Sequence, residues 1–172
     1  LRLFDLSDAR TVDTLAGVYE VAHTTQHIPY PYPEGAAEEW ITRHPREWAS
    51  GEGPTYAVTL AGDGTLVGAV GLSLTPQHVK GELGYWIGVP YWGQGYATEA
   101  ARALVDFGFT ALGLHRVEAR CFCRNPASGR VLQKLGMALE GTHRESVRRW
   151  ERFEDVAFYG VLAREWTGGI GA

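Results

Sequence analysis

The run Gly84-Tyr85-Trp86-Ile87-Gly88-Val89-Pro90-Tyr91-Trp92-Gly93-Gln94-Gly95-Tyr96-Ala97-Thr98-Glu99-Ala100 holds the residues whose types and order point most directly to chemistry. An apolar strand stops at Pro90, a turn with two closely spaced glycines follows, and an alanine-rich helical pattern begins. Glycine lets successive backbone N–H groups face open space at the start of a helix. Those free donors, with the positive end of the helix dipole, form a seat for phosphate. The expectation is a phosphorylated ligand gripped beside an open strand edge.

The elements that must position this turn follow from hydrophobic period and from cap and turn residues. Residues 1–6 alternate apolar and polar side chains, the pattern of a strand. Ser7 is placed to cap a helix over 8–21 with Val12, Leu15, Ala16 and Tyr19 on one face. The prolines of His27-Ile28-Pro29-Tyr30-Pro31-Tyr32-Pro33 force an extended segment, and a second helix is predicted over 34–50. Strands over 55–60 and 66–74 flank Gly62-Asp63-Gly64, a hairpin signal. A long strand over 80–89 leads into the glycine turn and a helix over 94–112, where Ala97, Ala100, Ala101, Leu104 and Gly108 make a narrow packing stripe. A strand over 116–122 precedes Asn125-Pro126, an N-cap followed by proline at the first helical position. Gly136 closes that helix, and strands over 138–146 and 152–162 complete a mixed α/β sheet with mostly antiparallel neighbours and one central crossover helix.

Length predicts one domain over residues 1–172, large enough to bury roughly 70% of its unfolded surface. No linker or repeat interrupts it; only the tail from Thr167 has low-complexity character. The formal net charge of -4 speaks against nonspecific nucleic-acid binding. No apolar run is long enough to span a membrane, and no signal peptide is expected before Leu1. Cys121 and Cys123 fall on one face of a strand, which suits two buried thiols and a reducing, cytoplasmic compartment. Neither zinc-ligand spacing nor a Ser-His-Asp order emerges, so no metal is expected. His115 suits a helix C-terminus.

The blocks Glu82-Leu83-Gly84-Tyr85-Trp86-Ile87, Tyr91-Trp92-Gly93-Gln94-Gly95-Tyr96-Ala97-Thr98-Glu99-Ala100, Leu114-His115-Arg116-Val117-Glu118-Ala119, Asn125-Pro126-Ala127-Ser128 and Val131-Leu132-Gln133-Lys134-Leu135-Gly136-Met137, in this order, resemble the GNAT superfamily of N-acetyltransferases, with the RimJ/RimL-like branch the closer match. The likeness spans essentially the whole chain. It implies an α/β (α+β) fold with a mixed, mostly antiparallel sheet of six to seven strands and about four flanking helices. It implies acetyl-CoA as co-substrate, its pyrophosphate on the amides of Gln94, Gly95, Tyr96, Ala97 and Thr98 after Gly93, and its pantetheine arm paired like an added strand with Trp86, Ile87, Gly88 and Val89. Trp92 stands where the superfamily usually has arginine or glutamine, which removes one side-chain contact to phosphate and leaves the backbone contacts.

The acceptor implied is a primary amine: a protein N-terminus, sometimes a ribosomal one, or a small molecule. Transfer requires a deprotonated amine, a donor for the thioester carbonyl and a proton for the departing thiolate. The resemblance puts the carbonyl donor at the N–H of Ile87 or Gly88. Glu82 is the candidate base, a carboxyl in a mostly apolar strand whose partial burial would raise its proton affinity; a solvent-facing residue or structural ion pair, with a water relay as base, is the alternative. Ser128, one turn into the helix begun by Asn125, is the candidate acid and a cofactor contact, or else a helix-start serine. Tyr159 on the last strand is the reserve acid, or else a core tyrosine. Asn125 has a capping role and a second role against the pantetheine arm. Tyr30, Tyr32 and Trp40 would wall the acceptor pocket with Glu82, or pin a loop onto the core. His27 and His143 could also face the acceptor. Homodimerisation is common in this branch.

A dinucleotide fold fits less well: after Gly93-Gln94-Gly95 the third small residue, Ala97, comes one position early, and the turn follows antiparallel strands. The competing class is a noncatalytic acyl-CoA-binding domain on the same scaffold.

Overall fold

Strand residues alternate between two apolar faces, and helices cover both. A computed structural model of the chain describes residues 1–168; residues 169–172, the end of the tail beginning at Thr167, lie outside the described part. The strands are β1 (Thr55–Thr59), β2 (Leu66–Thr75), β3 (Lys80–Ile87), β4 (Arg116–Phe122), β5 (Ala138–Arg149) and β6 (Arg152–Leu162). They form one sheet in the order β1-β2-β3-β4-β6-β5. Only β3 and β4 run parallel, as they must when a helical crossover joins them. The helices are α1 (Ala9–Ala16), α2 (Tyr19–Thr24), α3 (Ala36–Ala49), α4 (Tyr96–Thr110) and α5 (Pro126–Lys134). Among the described residues no helix is long and apolar enough to cross a membrane.

One face of the sheet sends Val70, Leu72, Leu83, Ile87 and Val117 against Ala101, Leu104 and Val105 of α4. Gly108 belongs to that stripe because a Cβ there would sit 3.1 Å from a Leu72 methyl. The opposite face carries Ala57, Leu66 and Trp86 against Val12 and Ala16 of α1 and Ile41 of α3. Residues 82, 84 and 86 of β3 therefore look towards α1 and α3, while 83, 85 and 87 look towards α4.

Four sequence expectations are corrected. Residues 1–6 form no strand; a single bridge joins Arg2 to Ala57. Arg2 is instead tied by two 2.7 Å bonds to Asp8, and Phe4 packs edge-on against Trp40. Ser7 caps no helix: it lies in a 3-10 turn over Leu6–Asp8 capped by Asp5, whose side chain accepts from the Ser7 amide while Asp8 accepts from the Asp5 amide, and Asp8 stands at the start of α1 without a side-chain cap. The helix over 8–21 is broken into α1 and α2, because Gly17 ends the first and Val18 is extended; Tyr19 is consequently exposed and stacks on Trp150. Cys121 and Cys123 do not share a buried face, since β4 ends at Phe122; Cys121 is buried and Cys123 exposed.

His44 of α3 is buried between Trp40 and Phe4, with no hydrogen-bond partner on either ring nitrogen among the described residues. Burial, with Arg43 adding to it, lowers its pKa to about 4. The folded state thus binds fewer protons here than the unfolded chain. Its stability should be full above the ordinary histidine range near pH 6.5 and fall by about 3 kcal/mol as pH drops towards 4. Melting temperatures of the wild type and His44→Phe across that window should show the variant with the flatter acid limb.

Candidate active site

β3 and β4 start as neighbours and then part. Their ladder covers four pairs, from Lys80 opposite Arg116 to Leu83 opposite Ala119. Lys80 Nζ lies 2.6 Å from Glu118 at the closed end. Beyond Leu83, β3 keeps β2 on one side only, with Gly84, Trp86 and Gly88 in the positions that bond to β2; the Gly88 amide donates to Val67 O at 2.8 Å. Alternation along the strand turns the main-chain groups of Tyr85 and Ile87 to the opened side, where no strand meets them. Of the two amides considered for the thioester carbonyl, Gly88 is thus engaged with Val67 and Ile87 faces the opening. The Ile87 carbonyl accepts from Trp92 Nε1 at 2.6 Å, so Trp92 ties the glycine turn to the end of β3.

A cleft of about 670 Å³ runs through this opening, within the usual range for small-molecule sites. At one end are Trp92, Gly93, Gly95, Tyr96, Ala97 and Thr98. Gly93 and Gly95 have φ of 76° and 90°, left-handed conformations that favour glycine, and no side chain caps α4. Among the described residues, the amides of residues 93–98 have no hydrogen-bond acceptor besides those available within α4, whose first turn has none to offer. Gln94 bends back so that its side-chain amide donates to Pro90 O at 3.2 Å; it does not border the cleft, nor do Gly88 and Val89. Arg130 and Lys134, one turn apart on α5, bring positive charge to the lining.

Ser128 and Asn125 border the middle of the cleft. Asn125 Oδ1 accepts from the Ser128 amide at 3.2 Å, and its Nδ2 donates to Thr24 O at 3.3 Å, so the cap, worth about 1 kcal/mol, also joins α5 to the last residue of α2. The Ser128 hydroxyl lies 2.8 Å from the Tyr85 hydroxyl, which also reaches Ser128 O at 3.2 Å. Burial holds the Tyr85 phenol well above its ordinary pKa, so it remains a proton donor. Burial also raises the neighbouring Cys121 thiol, with the Ser128 hydroxyl acting in the opposite sense. Tyr159 is buried with its hydroxyl beneath Gly129 and does not border the cleft. The hydroxyl that meets Ser128 is Tyr85's.

Glu82 borders the cleft on the α1–α3 face, about a third exposed, and accepts from Arg120 Nε at 2.6 Å. Its carboxylate sits in an ion pair rather than among apolar atoms, because Arg120 occupies the adjacent strand. Trp40 and His27 border the same end. Tyr30 and Tyr32 do not: Tyr30 is exposed and edge-on to Tyr19, and Tyr32 packs on the α1–α3 cluster. His143 packs at a tilt against Phe158, away from the cleft lining. Tyr85, Cys121 and Arg120 escaped sequence reasoning as site residues, since their partners are distant in the chain; Arg130 and Lys134 at helical i, i+4 spacing were legible in principle.

Residues 1–138 match the acetyltransferase (GNAT) domain family. The chain belongs to this family. Among curated relatives, the uncharacterized N-acetyltransferase p20 of Bacillus licheniformis is 32% identical over 119 residues, 69% of this chain and 67% of the relative. The ribosomal-protein-serine acetyltransferase of Escherichia coli is 28% identical over 95 residues, 55% and 53% of the two chains. Matched stretches thus span about half to two thirds of these GNAT relatives. The crystal structure of a GNAT-family acetyltransferase from Bacillus anthracis superposes with a TM-score of 0.84 at 26% identity, over 95% of this chain and 94% of the other. The six-stranded sheet and the helices on both its faces agree with that fold.

Proposed function

We propose that the protein moves the acetyl group of acetyl-CoA to a primary amine by direct attack in a ternary complex, with the α-amino group of a polypeptide as acceptor. The carrying observation is the meeting, in one cleft, of the unpartnered amides of residues 93–98 with the opened edge of β3. The amides, Arg130 and Lys134 would hold the phosphates, and the pantetheine arm would lie along Tyr85 and Ile87. Acetyl-CoA supplies the activated acyl group. Glu82, directly or through water, takes the ammonium proton; the amine nitrogen bonds to the acyl carbon while the Ile87 amide faces the carbonyl oxygen. The C–S bond breaks, Ser128 protonates the thiolate while drawing on the Tyr85 hydroxyl, and the second proton of the acylated nitrogen leaves to water, from which the Ser128–Tyr85 pair is reprotonated. Glu82 is the only carboxylate bordering the cleft among the described residues, and Arg120 already neutralises it. That suits one ammonium group better than a polycation; the relatives include both a ribosomal-protein-serine acetyltransferase and a spermidine N(1)-acetyltransferase of Escherichia coli, so the choice of acceptor rests on the cleft.

Incubation with acetyl-CoA and either short peptides with free N-termini or spermidine, read as released thiol and as acetylated product by mass, tests this. Peptide N-terminal acetylation is expected. Preference for spermidine would move the acceptor to small amines, and CoA binding without transfer would indicate a noncatalytic domain. With the working acceptor, Glu82→Gln should lower kcat/KM by about a hundredfold; an unchanged rate across pH would leave proton removal to water alone.

A further inference from the structure

Gly84 is a glycine without a structural reason. It sits inside β3, paired with β2 and one residue past the last β3–β4 pair, where a residue lacking a side chain weakens a strand. Its φ is not in the left-handed region, so the backbone does not demand glycine. A Cβ built on it meets nothing within 4 Å, so no protein atom demands it either. Gly108 and Gly68, by contrast, are each pressed by neighbours at 3.1 Å or closer. Gly84 borders the cleft and is exposed.

Its surroundings define what the open space is for. Directly across the ladder from Gly84 stands a second glycine, Gly71, itself opposite Thr55 of β1. The row on one side is Ser73 and Glu82; the row on the other is Ala69 and Trp86. All of these border the cleft on the α1–α3 face. A Cβ at Gly71 would meet Thr55 Oγ1 at 3.0 Å, so the bare surface here is the patch over Gly84 alone. It is flanked by the carboxylate proposed to receive the amine proton and by an indole that leads to the opened edge of β3. Successive same-face residues on a strand are about 7 Å apart, enough for one small substituent to lie flat between them.

We infer that Gly84 is a specificity-determining residue for the acceptor: the open patch over it, between Glu82 and Trp86, seats the substituent borne by the carbon next to the attacking amine, and for a peptide that is the side chain of its first residue. This inference rests on the proposed transferase activity. It adds a location and a physical limit, namely that the bulk tolerated beside the amine is set by a missing side chain on β3.

The test uses the full chain carrying Gly84→Ala or Gly84→Val, with peptides beginning in glycine, alanine, serine or phenylalanine and with acetyl-CoA. The ratio of kcat/KM for the bulkiest accepted first residue to that for glycine should fall about tenfold in Gly84→Val and less in Gly84→Ala, the change lying mainly in KM. CoA affinity by calorimetry should stay within about twofold, and the melting temperature should not fall, because valine favours strands. An equal loss across all peptides, a matching loss of CoA affinity, or a drop in melting temperature would overturn the assignment while leaving the activity standing. A wild-type protein that binds CoA and acetylates no amine would overturn the activity itself, and the acceptor seat with it.

Discussion

Gly95→Val should weaken CoA binding about a hundredfold, measured by calorimetry. Two physical effects act together. Position 95 holds φ of 90°, a conformation that costs an L-residue about 1–2 kcal/mol. The open space around it, where a Cβ meets nothing within 4 Å, is also the space a diphosphate would need above the amides of α4. An isopropyl group there blocks approach even if the turn keeps its shape. A hundredfold loss corresponds to about 2.7 kcal/mol, which displacement of an anion from several charge-assisted N–H bonds can supply. Gly136→Ala separates the two effects. Gly136 has φ of 76° in equally open space but does not border the cleft. It should lose stability by a similar strain and keep its CoA affinity. Wild-type affinity in a folded Gly95→Val protein would remove the phosphate seat from this turn.

Ser128→Ala should lower kcat by about a hundredfold while leaving the CoA dissociation constant nearly unchanged. The Ser128 hydroxyl is placed to deliver a proton, and the 2.8 Å contact with Tyr85 gives it a buried donor behind it. Tyr85→Phe should therefore cost about tenfold in the wild-type background and almost nothing once Ser128 is alanine. That non-additivity is the signature of two groups acting in series. Losses that simply multiply would make Tyr85 a packing residue. If Ser128→Ala instead lost CoA affinity at full turnover, the serine would be a binding group.

What was legible in the amino-acid order was whatever local pattern decides. The strands β2, β3 and β6, the Asn125-Pro126 helix start and the Gly93/Gly95 turn are written in a few consecutive residues, and the structure contains each of them. Residues 1–6 misled because alternation there reflects a capped turn: Arg2 turns to Asp8 and Phe4 to Trp40, contacts that no strand period encodes. The site depends on meetings over distance. Tyr85 and Ser128 are 43 positions apart, and Glu82 and Arg120 are 38 apart; the parallel β3–β4 junction creates both. Glu82 was identified as a carboxyl of interest, but its arginine was invisible until the sheet placed β4 beside β3. Tyr30 and Tyr32 illustrate the converse. Aromatic, proline-stiffened residues suggested a pocket wall, while packing turns one onto Tyr19 and the other into the α1–α3 cluster.

The parting of β3 from β4 also bears on how the molecule holds itself together between turnovers. Past Leu83 the sheet lacks one row of main-chain partners, and an extended amide-bearing arm lying in the gap would act as a removable seventh strand. Loading it would zip the two halves of the sheet together and shield the Tyr85 and Ile87 amides from hydrogen exchange. Thermal resistance would then rise with cofactor concentration. Product departure becomes an unzipping event, so the rigidity that aligns the reaction is lent by the thing consumed and returned each time it leaves.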